Sequence, residues 1–464
     1  MHRKATNMDR RSLTFIAIGL IIIILVSAFV IYEFGFPKSS VPSVGSSGVL
    51  WKRPLEDFAT ALAVDNEKVF ILDRTTGVVS CYDSQSGRSI WNSSLPGGPF
   101  YVSGLVVSGG KIYAGAWDDN VVCLDEATGK VQWNFQGIWN TFQNHPVPPN
   151  SIIVQDNRVF CINDNAFSVH DSTTGKFLWQ ASSNNPYTVG NITDLKTWQV
   201  AGYVLGGDPF DGNYVYATGG NSSNWYFFKL NTDNGAVLWR SNITWDGIYL
   251  SYGVGSPPSA VAISQGQVII EGANPQLFSL NSTSGQVLWS LNLGATIYNP
   301  VVFNNLLLFG ASDGNFYALN LANGIIAWKT KVDTQNLFSF ANSTNTPETS
   351  SIQIDSQNKQ LFWNFEVQLN GASGNYTATL CSLDIATGNI KWTETSDNGT
   401  FFGSTTGLFN KDSIFLIGNN ALYIFNESTG NLVQSLQFSH YILPPIAVGN
   451  ETFVATDLWL IAYT

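Results

Sequence analysis

Asp125-Glu126-Ala127-Thr128-Gly129-Lys130-Val131-Gln132-Trp133 is a nine-residue unit that this chain repeats without a change of spacing. The same unit runs from Asp83 through Gly87 to Trp91 and from Asp171 through Gly175 to Trp179. It recurs from Asn231 through Gly235 to Trp239, from Asn281 through Gly285 to Trp289 and from Asn320 through Gly324 to Trp328. A further copy runs from Asp384 through Gly388 to Trp392, and one at Asn426 and Gly430 keeps all but the Trp, which is Gln434. Apolar runs of period two flank each unit, such as Val121-Val122-Cys123-Leu124 before it and Lys130-Val131-Gln132-Trp133 within it. Such runs around a short polar turn predict a pair of antiparallel strands. The Asp or Asn side chain accepts hydrogen bonds from turn amides, and the Gly supplies the positive φ of a bulged hairpin. One Trp per repeat at a fixed place suits a wedge between neighbouring units.

A four-stranded unit of about 40–50 residues cannot bury both faces alone, so the units must stack. Arranged radially they make an all-β propeller. The first fragment, Gly48-Val49-Leu50-Trp51, reads as the end of a unit whose hairpin is missing. The last, Thr452–Thr456 followed by Trp459–Tyr463, reads as the other half. Pairing the two closes the ring and removes its exposed edges. Eight internal units and one split unit count to nine.

Composition suits a large β core, with 44% apolar and 12% charged residues among 464. Residues 13–34 are expected to form a transmembrane anchor, because Leu13–Tyr32 carries no charge and is long enough to cross a bilayer of about 30 Å. Arg3, Lys4, Arg10 and Arg11 precede it, so residues 1–12 are expected in the cytoplasm and the propeller outside a single-pass cell-membrane protein. A cleavable signal peptide ending near Val26-Ser27-Ala28 is the rival reading. Residues 35–47, rich in Ser, Pro and Gly, make a linker to a propeller spanning 48–464.

Ten Asn-x-Ser/Thr sites agree with an extracellular glycoprotein: Asn92, Asn191, Asn221, Asn242, Asn281, Asn342, Asn375, Asn398, Asn426 and Asn450. Beyond the first 36 residues, 18 Lys and Arg face 31 Asp and Glu, a net of −13, which excludes nucleic acid as a partner. A surface rich in Asn, Ser, Thr and Gln is expected to change little on acidification. Cys81, Cys123, Cys161 and Cys381 form no Cys-x-x-Cys pair. They read as buried small hydrophobes, with a disulfide between the repeat-equivalent Cys81 and Cys123 as the alternative.

The pattern Cys123-Leu124-Asp125 to Trp133, with Ser382-Leu383-Asp384 to Trp392, resembles the repeat of the PQQ-like β-propellers, also called quinoprotein-alcohol-dehydrogenase-like. The resemblance covers nearly all of Gly48 to Thr464 and implies eight blades, against the count of nine. It also implies two sorts of protein. One is a PQQ-dependent dehydrogenase, with the quinone beneath a disulfide of adjacent cysteines and calcium held by acidic and amide side chains. The other is a non-enzymatic relative of envelope assembly. No Cys-Cys pair occurs here. Asp118-Asp119-Asn120 is the nearest acidic cluster, but calcium needs six or more oxygens and three consecutive residues cannot converge on one ion. His2, His145, His170 and His440 form no spaced metal set, so no catalytic residue, metal or cofactor is assigned.

The function expected is a non-catalytic scaffold that binds other envelope proteins, with a carbohydrate- or small-ligand-binding module and a quinoprotein dehydrogenase as alternatives. Trp363 and Trp459 fall within strands and read as core. Trp117, Trp139, Trp198, Trp225 and Trp245 lie in connections between strands, in positions that emerge on one side of an up-and-down propeller. With Phe142, His145, Tyr187, Tyr249 and Tyr252 they make the candidate binding face, since rings on loops combine apolar area with a polar handle.

Overall fold

Each repeat forms a blade whose third and fourth strands bracket the nine-residue unit. Blade 2 is typical, with strands Leu105–Ser108, Lys111–Gly115, Asn120–Asp125 and Val131–Gln136 in consecutive antiparallel order. Asp125 Oδ1 accepts from the Thr128 amide at 2.9 Å and its hydroxyl at 2.6 Å, and the Gly129 amide donates to the Asp125 carbonyl. Gly129 has φ +70, and the register shifts between Cys123 and Leu124, which is the bulge the turn requires. Asn does the same work elsewhere: Asn426 Oδ1 accepts from the amides of Ser428 and Thr429 at 3.1 and 3.0 Å.

The structure is a computed structural model. It describes residues 48–463 apart from 56–58, 74, 97–103, 116–119, 137–138, 141–144, 147–150, 164–165, 183–210, 221–224, 242–258, 272–275, 296, 333–349, 369–375, 397–406, 419, 439–441 and 457. The basic N-terminus, the apolar segment and the linker lie outside the described residues. Among those described, no helix is long and apolar enough to cross a membrane.

The described strands form eight four-stranded sheets, one three-stranded sheet and a two-residue ribbon. Nine blades result, one more than the resemblance implies. Blades 1 to 3 span 59–94, 105–136 and 151–182. Blade 4 is the three-stranded sheet, 214–240, and blades 5 to 8 span 259–292, 297–331, 350–395 and 408–437. Blade 9 joins Ile446–Val448, Glu451–Ala455 and Trp459–Tyr463 to the N-terminal strand Val49–Pro54. That strand runs antiparallel to Trp459–Tyr463, pairing Lys52 with Ile461 and Pro54 with Trp459, so the ring is closed as the split repeat requires.

Second and third strands lie between two neighbouring blades, and both their faces are buried. Phe70, Leu72, Phe309, Phe316 and Leu361 are all fully covered. Fourth strands form the circumference and leave aliphatics in water, such as Leu238 and Val433. Trp363 is core, whereas the half-buried Trp459 carries Lys52 Nζ 3.8 Å above its ring. All four cysteines are buried and free. Cys81 packs in the core shared by blades 1 and 2, and Cys123 in the core shared by blades 2 and 3. Equivalent positions in neighbouring blades therefore face successive joints, and the alternative of a Cys81–Cys123 disulfide does not hold.

Candidate functional site

The joints between blades follow directly from the repeat. The indole N–H of each motif Trp donates to the carbonyl of the residue after the motif Asp or Asn in the next blade. Trp91 bonds the Glu126 carbonyl at 3.1 Å, Trp133 that of Ser172 at 3.2 Å and Trp179 that of Thr232 at 2.8 Å. Trp239, Trp289, Trp328 and Trp392 reach Ser282, Leu321, Ile385 and Glu427 in the same way, and Trp51 reaches Ser84. The ring then lies flat on the motif Gly of that blade. A Cβ on Gly129 would stand 2.5 Å from Trp91 Cε3, and one on Gly430 2.5 Å from Trp392 Cε3. Eight of the nine joints carry this dock. The joint from blade 8 to blade 9 lacks it, because Gln434 replaces the Trp and blade 9 has its chain break where the hairpin would be.

Side chains buried at the joints differ from one joint to the next. Lys68 Nζ lies 2.8 Å from Glu126 across the joint of blades 1 and 2. Lys229, itself buried, reaches the Ser282 carbonyl at 2.9 Å and Asp211 at 3.2 Å, with Tyr214 beneath it. At the joint of blades 2 and 3, His170 stacks on Phe135 with centroids 3.7 Å apart. Its Nδ1 donates to the Gly175 carbonyl at 3.2 Å, and its Nε2 accepts from the Ser168 hydroxyl at 2.9 Å. Burial holds its pKa down at about 4.

His170 gives the fold an acid sensitivity with a definite sign. Between pH 6.5 and about 4 the unfolded chain takes up a proton on this residue that the folded chain refuses, so stability falls as pH falls. The full loss is about 3 kcal/mol. His170→Phe is expected to flatten the stability profile over that window in urea titrations from pH 4 to 7. A variant as acid-sensitive as the parent would refute the assignment. Below that window the motif aspartates add to the loss. Hydrogen bonds from the turn, led by Ser86, Thr128, Thr174 and Thr387, hold Asp83, Asp125, Asp171 and Asp384 below the ordinary carboxylate range.

The two faces of the disc differ. Turns from first to second strand and from third to fourth strand share one face, and they are short and closed by hydrogen bonds. Asp65, Asn66, Glu67 and Lys68 make one, with Asn66 and Glu67 at positive φ. Connections from second to third strand, and from a fourth strand to the next blade, begin and end on the opposite, open face. Segments 183–213, 241–258 and 332–349 are the longest of these.

Most of the candidate aromatics fall in such connections. Trp117, Phe142, Tyr187, Trp198, Trp245, Tyr249 and Tyr252 lie outside the described residues. Trp139 and His145 belong to the ribbon Trp139–Asn140 with His145–Pro146, inserted between blades 2 and 3. Trp225 is not in a connection: it opens Trp225–Asn231, the middle strand of the three-stranded blade 4, opposite Gly220. Of the ten sequon residues, Asn92 and Asn450 are exposed, while Asn281 and Asn426 use their side-chain oxygens to close motif turns. The other six, Asn191, Asn221, Asn242, Asn342, Asn375 and Asn398, lie outside the described residues.

Cys81, Cys123, Cys161 and Cys381 sit in separate strands, and burial pushes the thiols of Cys81 and Cys123 up to about 12. Among the described residues no group of three His, Cys, Asp or Glu could hold a metal ion. Asp118 and Asp119 lie outside them.

Nine antiparallel blades, docked indole on glycine and closed by the N-terminal strand, define a PQQ-like β-propeller. Residues 38–228 and 228–360 match the family model described as outer membrane protein assembly factor BamB, and the chain belongs to that family. The assembly factor BamB of Yersinia pestis is 22% identical over 306 residues, which are 62% of this chain and 68% of that protein. Quinohemoprotein alcohol dehydrogenase ADH IIB of Pseudomonas putida is 24% identical over 339 residues, 63% of this chain and 45% of that protein. The structure of quinohemoprotein alcohol dehydrogenase from Comamonas testosteroni aligns with a TM-score of 0.51 at 14% identity, covering 90% of this chain and 76% of that one. At that identity the likeness is one of fold alone.

Proposed function

We propose that the protein is a membrane-anchored, extracellular, non-catalytic scaffold that captures other envelope proteins on its open face. The asymmetry of the disc carries this reading. One face is sealed by short hydrogen-bonded turns, and the connections that hold most of the candidate aromatics begin and end on the other. Function in rigid repeat folds resides in such connections. The relatives named as outer membrane assembly factors support a role in envelope assembly. The apolar segment 13–34 with its basic flank supports the anchor, and the exposed Asn92 and Asn450 are the first sequon residues to examine for glycans.

Trp117, Trp139 and Trp245 changed together to Ser test the reading in the full chain. Partner capture by crosslinking in native membranes is expected to fall at least about tenfold, the loss of one or more aromatic hot spots. The melting transition is expected to stay within about 2 °C of the parent. Unaltered capture would place the partner elsewhere, and an unfolded variant would make the aromatics a local core. A glycan bound by the same rings would appear as competition by free oligosaccharide.

The quinoprotein reading has one observation in its favour, the similarity to alcohol dehydrogenases such as ADH IIB. Its test is dye reduction with alcohols after reconstitution with PQQ and calcium. Activity there would displace the scaffold reading.

A further inference from the structure

The sealed face is not even all round. Most of its first turns hold two residues between paired strands, as Lys411 and Asp412 do between Asn410 and Ser413 in blade 8. Gly449 and Asn450 do the same between Val448 and Glu451 in blade 9. The first turn of blade 7 is longer, with Ser356, Gln357, Asn358 and Lys359 between the partners Asp355 and Gln360. Asp355 shapes it by accepting from the Gln357 and Asn358 amides at 2.9 and 3.2 Å. This longer turn walls one side of a cleft of about 460 Å³, and the first turns of blades 8 and 9 make the other sides. Gly449 adds no side chain to it, and nothing lies within 4 Å of where a Cβ would stand.

The lining has the chemistry of a sugar site. Ile354 and the half-buried Phe409 supply apolar surface, and Gln357, Asn358, Lys411 and Asp412 supply donors and acceptors around it. Lys411 and Asp412 are exposed and enter none of the ion pairs among the described residues. A sugar ring has a C–H face for the apolar part and hydroxyls for the polar rim. The volume falls within the range of about 300–1,000 Å³ of small-ligand clefts. The cleft also carries an attachment point in its own wall. Asn450 lines it, is exposed, and is the acceptor of the sequon Asn450-Glu451-Thr452. Asn92, by contrast, stands on the fourth strand of blade 1 at the circumference.

We propose that Asn450 is glycosylated and that the first sugars of its glycan fold back into this cleft, bridging the first turns of blades 7, 8 and 9. Such a glycan requires the extracellular placement proposed above. In the transfer, Asn450 Nδ2 displaces the lipid diphosphate from C1 of a lipid-linked oligosaccharide and gives up one proton. The sequon is read through its hydroxyl, which here belongs to Thr452. Thr452 is 1% exposed, and its Oγ1 accepts from Asn410 Nδ2 at 2.9 Å across the joint of blades 8 and 9. Transfer therefore precedes the docking of those two blades. Once they dock, the sugars tie together the turns beside the one joint that has no indole. They also cover part of the sealed face and leave the open face to partners.

The test uses the full chain purified from its own membranes. Mass spectrometry of the peptide bearing Asn450 is expected to show attached sugar. Hydrogen exchange is then compared with Asn450→Gln made in the same source. In the parent the amides of residues 356–359 and 411–412 are expected to exchange at least about threefold more slowly than in the variant. Sugar on Asn450 with slowing confined to 449–451 would mean a glycan free in water and would overturn the cradle. A peptide without sugar would overturn the glycan itself. Labelling of the propeller lysines by a membrane-impermeant reagent in intact cells reads the location separately. Labelled lysines with a bare Asn450 refute the glycan alone, and unlabelled lysines refute the extracellular placement with it. Asn450→Asp keeps a turn-forming side chain and replaces Asn450→Gln if that variant does not fold. A chain folded without glycan, then given transferase and donor lipid, is expected to stay bare at Asn450. Modification there after folding would overturn the order of events.

Discussion

Gly129→Asn is expected to destabilise the ring by about 2–4 kcal/mol, whereas Gly294→Asn costs less than about 1 kcal/mol. Both glycines have φ +70, so the backbone penalty is shared. They differ in what stands beside them. Nothing lies within 4 Å of a Cβ at Gly294, while one at Gly129 meets the Trp91 ring at 2.5 Å. The ring cannot withdraw, because its N–H is committed to the Glu126 carbonyl. From the sequence alone Asn looks milder than Val at Gly129, since it tolerates left-handed backbone. The structure adds a cost that both share: a Cβ there meets the Trp91 ring. Equal melting temperatures for the two variants would show that φ alone governs the position.

Removing Gly48–Lys52 is expected to do still more damage. The deletion takes most of the fourth strand of blade 9 and the Trp51 dock onto Gly87. It leaves Trp459–Tyr463 as an unpaired edge with apolar residues, a template for association with other chains. The neighbouring joint cannot compensate. From blade 8 to blade 9 there is no indole dock, and the contacts include Phe415 against Tyr463 and a 2.9 Å bond from Asn410 to Thr452. The shortened chain is expected to aggregate or to lose its cooperative transition in scanning calorimetry. A chain beginning at Ala59 that stays monomeric and melts sharply would show that the ring does not depend on closure.

The fold was legible because the repeat encodes its own contacts. The Asp or Asn, Gly and Trp each name a turn, a bulge and a wedge, and fixed spacing makes nine of them one architecture. The half-motif at Trp51 showed the closure for the same reason. The family habit of eight blades misled where the count of motifs did not. What the sequence did not show was the partner of each group. No local pattern says that the Trp of one blade lies on the Gly of the next, some 38 residues on between Trp91 and Gly129. Glu126 and Glu427 look like ordinary turn residues, since the carbonyl that draws them inward belongs to backbone. His170 stands where other repeats carry Leu124 or Leu383, and that substitution was a visible signal of a buried imidazole. Trp225 was misplaced because an aromatic beside two Ser and an Asn reads as loop, although its strand extends to it.

The gap in blade 9 makes the order of blades along the chain a matter of convention. Tyr463 and Val49 are register partners, as Leu124 and Val131 are in blade 2, where the six residues 125–130 join them. A six-residue turn of the Asp125–Lys130 kind could therefore link the old ends, and new ends could be cut at any other motif turn. Each of the eight circular permutants would have the same ring. Because every such turn lies on the sealed face, a tag or surface attachment at any of these ends would leave the open face pointing outward. A set of permutants would then rotate that face around a fixed tether, one blade at a time.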